Sequence, residues 1–124
     1  LAGGNVVHYI CDEQSEWYPD IDDIKSKVTS RTKGIVVINP NNPTGALYPK
    51  EVLQDIVDVA RENELIIFAD EIYDRLMYDG ETISIASIPE MRDRTLVLDG
   101  FSKTYAMTGW RIGYCVANVD NQEV

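Results

Sequence analysis

The sequence is poor in the residues that build metal sites, disulfide frameworks and nucleic-acid surfaces. Its 124 residues include two cysteines and one histidine. Cys11 and Cys115 lie far apart, form no CxxC pattern, and read as reduced, buried thiols of a cytosolic protein. A metal site or a nucleophile–histidine relay would have to be built on His8 alone, so it reads as a core or strand-surface residue. Basic side chains are scarce: 11 Lys and Arg stand against 21 Asp and Glu, a formal net charge of −10. That balance argues against a nucleic-acid-binding face and against adhesion to an anionic membrane. No apolar run approaches the roughly 20 residues of a membrane helix. No secretory signal pattern is present, and the chain begins Leu1-Ala2-Gly3-Gly4 without a Met, so a piece of a longer protein is expected. Only 8 Gly and 5 Pro occur, while 44% of residues are hydrophobic. This is a globular composition, and the length suits one domain able to bury roughly two-thirds of its unfolded surface.

The apolar residues fall into short blocks. Asn5 to Ile10 is rich in strand formers and reads as a strand. Asp20 stands as an N-cap before Ile21, Ile24 and Val28, one helical stripe. Gly34 to Ile38 is a continuous β-branched run, as expected of a strand buried on both faces of a parallel sheet. The turn cluster Asn39-Pro40-Asn41-Asn42-Pro43-Thr44-Gly45 follows. Pro49 then opens an amphipathic helix whose stripe is Val52, Leu53, Ile56, Val57 and Ala60, with Asn63 as its stop. Leu65 to Ala69, Thr95 to Leu98 and Ile112 to Ala117 read as three further strands. The alternation predicts an α/β fold with a mostly parallel, doubly wound sheet.

In open α/β sheets ligands bind beyond the carboxyl ends of the strands. The residues there are Asn39 to Gly45, Asp70 to Tyr73, and Gly100 to Lys103. They combine an amide-rich turn, a carboxylate with a phenol three residues on, and a lysine beside hydroxyls. Such a set suits a polar, anionic small molecule.

Parts of these three segments and one further run, in order, resemble the signatures of class I/II aminotransferases, pyridoxal-phosphate (PLP) enzymes of the aspartate aminotransferase fold. They are Asn42-Pro43-Thr44-Gly45, Asp70-Glu71-Ile72-Tyr73, Ser102-Lys103, and Gly109-Trp110-Arg111-Ile112-Gly113. The resemblance runs from about Tyr9 to Ala117. It implies that residues 1–124 are an incomplete large, cofactor-binding domain of the PLP-dependent transferase fold, without its N-terminal part and the C-terminal small domain. It also implies a full-length homodimer acting on amino-acid and 2-oxo-acid substrates.

The resemblance implies a role for each matching residue. Lys103 forms the Schiff base with PLP and then carries the Cα proton. Asp70 partners the pyridine nitrogen and keeps it protonated; its plainer reading is a cap for the turn that follows. Tyr73, one helical turn past Asp70 if a helix begins there, bonds the cofactor's phenolic oxygen. Asn42 donates to the same oxygen and touches the substrate carboxylate. Arg111 and Ser102 hold the phosphate, arginine through its planar fork. Many members of that family carry a further serine three residues before the lysine; here that position is Gly100, so the role is not carried over. Tyr105, Thr108 and Trp110 shape the site. Glu71 reads as a helix-start charge.

The same family uses a phosphate-holding turn, a ring-stacking aromatic and a substrate-binding arginine that match nothing here, so the fragment alone is expected to be inactive and prone to aggregate along open strand edges. The reaction implied is amino transfer of the alanine or aspartate/glutamate type. A PLP-dependent β-lyase and a non-catalytic aminotransferase-like effector domain remain as alternatives.

Overall fold

A computed structural model describes residues 3–118. Four strands form one sheet in the sequential order β1 (Gly34–Ile38), β2 (Ile66–Asp70), β3 (Thr95–Gly100) and β4 (Gly113–Val116). The first three run parallel, with Ile38 beside Asp70 and Asp70 beside Leu98. β4 is antiparallel to β3, pairing Gly100 with Gly113 and Val97 with Val116. The mostly parallel α/β sheet is therefore as the sequence predicts. The carboxyl ends of β1, β2 and β3 and the start of β4 share one edge, which brings the four candidate segments together.

Helix α1 (Ile21–Lys27) starts where Asp20 accepts a hydrogen bond from the Asp23 amide at 2.9 Å. Lys25 and Lys27 in its last turn complement the helix dipole. Helix α2 (Lys50–Glu62) buries Leu53, Ile56, Val57, Val59 and Ala60. Each of its large aliphatic side chains contributes about 1.5–3 kcal/mol by leaving water. Pro49 is the N-cap of α2 rather than its first helical residue, and Asn63 is the C-cap. The core joins this stripe to Ile24, Ile35, Val37, Ile67, Ala69, Ile85, Ile88 and Met91.

Alternate residues of a strand face opposite sides of the sheet. Ile35 and Val37 are buried, whereas Val36 between them is 54% exposed. Leu98 and Cys115, paired across β3 and β4 on that second face, are exposed too. The run Gly34–Ile38 is thus not buried on both faces, and Cys115 is not a buried thiol. The helices of the described residues cover one face of the sheet.

The expected strand Asn5–Ile10 does not form. A strand needs a neighbour, and the segment joins no ladder; one isolated bridge links Cys11 to Pro19. Side chains tether it instead. The Tyr9 hydroxyl donates to the Val36 carbonyl at 2.9 Å, and Asp23 accepts from the Ile10 amide at 2.9 Å. Lys27 donates to the carbonyl of exposed His8 at 2.8 Å. Burial raises the Tyr9 phenol to about 12 and pushes up the Cys11 thiol; both cysteines are free. Among the described residues no helix is long and apolar enough to cross a membrane, and no cluster of His, Cys, Asp and Glu could hold a metal.

Candidate active site

The turn after β1 sits at the shared edge and is braced from within. The Asn41 amide donates to the Ala46 carbonyl and the Gly45 amide to the Asn41 carbonyl, both at 2.9 Å. Gly45 takes φ 75, a left-handed conformation that glycine adopts without a Cβ penalty. The exposed Asn42 lies at the tip and donates through Nδ2 to the Tyr73 hydroxyl at 3.2 Å.

Asp70 closes β2 with its carboxylate half-buried. One oxygen accepts from the Ile72 amide at 3.2 Å, which fixes the turn that follows. No helix begins there: residues 72–75 form turns, with Asp74 amide to Glu71 carbonyl and Leu76 amide to Tyr73 carbonyl, both 2.9 Å. Tyr73 still reaches the site, because that turn lays its ring beneath Lys103. The ammonium stands 5.5 Å from the ring centroid, within cation–π range.

The short helix α3 (Phe101–Thr104) carries Ser102 and Lys103 directly from the end of β3. Both line a hollow of about 360 Å³ together with Ile72, Asp99, Thr108 and Arg111. Arg111 enters from the antiparallel side, where its left-handed backbone, φ 53, turns the chain into β4. Its guanidinium donates to the Thr108 carbonyl at 3.1 Å. Asp70, Tyr73 and Asn42 lie outside the lining of this hollow, with Tyr73 touching both Lys103 and Asn42. Thr108 lines the hollow as expected, whereas Trp110 and Tyr105 are mostly exposed.

The donor set fits PLP in kind. A cation, a hydroxyl and a guanidinium around one hollow match a phosphate and an aldehyde. A phenol paired with an amide matches a phenolic oxygen, and a carboxylate on the same edge matches a pyridinium.

Three residues gain roles that the sequence did not assign. Glu71 is half-buried, and burial holds its carboxyl above the ordinary value; it accepts from the Ile85 amide at 3.3 Å and from the Ser84 side chain. It therefore straps the segment leading to β3 and is no helix-start charge. Asp99 walls the hollow, accepts from the Gly100 amide at 2.6 Å, and is bonded by the Tyr114 hydroxyl. That bond chiefly lifts the Tyr114 phenol to about 12. Asn39 is a buried polar residue, 6% exposed, at the base of the β1 turn. Its position between a buried strand and a proline was the only sequence signal for it.

Residues 1–123 match the family model of aminotransferase class I and II. The chain is 56% identical over 120 residues to the glutamate-pyruvate aminotransferase AlaA of Escherichia coli K12, covering 95% of this chain and 29% of that protein. It is 54% identical over 116 residues to an alanine aminotransferase of Mycobacterium tuberculosis, covering 92% and 27%. Among solved structures, an aspartate aminotransferase double mutant of Thermus thermophilus superposes with a TM-score of 0.89 at 43% identity, over 94% of this chain and 30% of that one. The chain thus spans about three-tenths of the length of the relatives it matches.

Proposed function

Because the chain belongs to the class I and II aminotransferases, we propose that the whole protein is a PLP-dependent enzyme that transfers an amino group between an amino acid and a 2-oxo acid. Alanine- and glutamate-type donors are favoured by the names of two relatives, and an aspartate-type donor by that of the third. The observation that carries the reading is the meeting of Lys103, Ser102 and Arg111 around one hollow, with Tyr73 under the lysine and Asn42 on Tyr73.

When bound, the cofactor supplies the electron sink that lets a substrate Cα–H bond ionise. Part of the remaining work falls to residues of this chain. Lys103 would hold the cofactor at its aldehyde and would move the proton at the substrate Cα. Asp70 would hold the ring nitrogen as its acceptor. Tyr73 and Asn42 orient the ring through its phenolic oxygen, and Asn42 also meets the substrate carboxylate. Ser102 and Arg111 bind the phosphate. The same reading makes residues 1–124 the central part of a large cofactor-binding domain, inactive on their own, in a cytoplasmic homodimer; the family likeness supports it.

Lys103→Ala in the full-length protein tests the assignment. The visible absorbance of lysine-bound PLP is expected to vanish, and borohydride to trap no cofactor on the chain. Persistence of both in the variant would refute the role of Lys103. A screen of amino donors with 2-oxo acids then reads the reaction: amino exchange supports the proposal, while release of ammonia and a 2-oxo acid marks a β-lyase and silence marks a non-catalytic domain.

A further inference from the structure

Asn42 meets Tyr73 through the tip of an exposed turn, and exposed turns do not hold a side chain in place without help. The help on this turn comes from its base. The Asn39 side chain accepts a hydrogen bond from the Tyr48 amide at 2.9 Å, closing the neck of the loop across nine residues. The Asn39 amide donates to the Asp70 carbonyl at 3.1 Å, so the neck is tied to the backbone of another site residue. Asn39 itself is buried, and Tyr48 is buried with it. Nearer the tip, the Thr44 hydroxyl donates to Asn41 Oδ1 at 2.8 Å and accepts from the Ala46 amide at 3.2 Å. The loop is clamped at the base and stiffened at the tip, and Asn42 lies between the two.

We propose that Asn39 is a positioning residue that, through the closed loop and with Thr44 stiffening the tip, sets the Asn42 amide against the Tyr73 hydroxyl. The proposal rests on the reading of Asn42 and Tyr73 as cofactor contacts. Removing the Asn39 acceptor leaves the Tyr48 amide buried and unpaired, so the neck opens to satisfy it. Asn42 then samples positions away from Tyr73, and a contact that was preorganised must be ordered on binding.

A double-mutant cycle in the full-length protein tests this, read by the affinity of the apoprotein for PLP and by the pH midpoint of the bound cofactor's visible band. Asn39→Leu is expected to weaken PLP binding about tenfold, or about 1.4 kcal/mol, and to move the midpoint in the same direction as Asn42→Ala. In the Asn42→Ala background the same substitution is expected to add nothing, because its effect runs through Asn42. Asn39→Asp keeps the acceptor and is expected to keep PLP affinity even where it lowers the melting temperature, which a merely structural role does not allow. A loss that adds fully to that of Asn42→Ala, or no loss at all, overturns the proposal while leaving Asn42 its role. If Asn42→Ala alone changes neither readout, the assignment of Asn42 falls and this inference with it. If Asn39→Leu does not fold, Thr44→Val at the exposed tip takes its place in the cycle under the same criteria.

Discussion

The Asn42 amide and the Tyr73 hydroxyl, 31 residues apart in sequence, stand 3.2 Å apart, and the Lys103 ammonium sits over the same tyrosine ring. Tyr73 therefore does two jobs with separate parts of its side chain. The hydroxyl accepts from Asn42 and is free to donate to a ligand oxygen, while the ring face supports the lysine. Tyr73→Phe removes the first job and keeps the second. In the full-length protein it is expected to weaken PLP binding roughly two- to tenfold, the size of one neutral hydrogen bond. Tyr73→Leu removes both and is expected to weaken binding further. Equal affinities for the two variants in a PLP titration would show that the ring does nothing for Lys103.

Glu71 and Asp23 set opposite slopes on stability against pH. Burial, opposed by bonds from Ser84 and Ile85, holds the folded Glu71 carboxyl above its ordinary 4.5. The folded state then binds a proton that the unfolded state has lost, so this contribution is present at low pH and disappears as pH rises above 4.5. Asp23 is shifted the other way, first by its hydrogen bond from Lys27. Its contribution is present above the ordinary 3.8 and is lost as pH falls. Glu71→Gln keeps an acceptor for the Ile85 amide and removes the ionisation. Melting curves of the variant are expected to flatten above pH 4.5 and to lie above those of the parent near neutrality. Two parallel curves across that range would contradict the buried-carboxyl account.

What could be read from the residues and what could not divide along a physical line. Asn42, Asp70 and Lys103 each follow a short apolar run, and parallel strands deliver whatever follows them to one edge, so their meeting at that edge was legible. Whether a second face is covered depends on distant chain, so Gly34–Ile38 read as buried while Val36 stands exposed. Strand formers at Asn5–Ile10 met no neighbour, and β-propensity without a partner makes no strand. Tyr73 lies on a turn and not on a helix, a difference that spacing alone does not reveal. The work of Asn39 depends on an amide nine residues away, and only the folded loop brings the two together.

Gly100 leaves little room for a side chain where β3 ends. Its backbone is extended, φ −177, a conformation open to any residue, so the objection to a side chain is space. A Cβ there meets the Ile112 carbonyl oxygen at 3.0 Å and the Gly113 Cα at 3.1 Å. Both belong to the chain entering β4, which approaches closely because Gly100 pairs with Gly113. Gly100→Ser forces that chain outward and is expected to cost about 1–3 kcal/mol, as overpacking does. The displaced segment carries Arg111, so PLP affinity is expected to fall even though a hydroxyl has been added beside the hollow. Denaturant unfolding of the full-length variant checks the first expectation and a PLP titration the second. Unchanged stability with tighter binding would mean that β4 yields freely and that the glycine pair does not fix the place of Arg111.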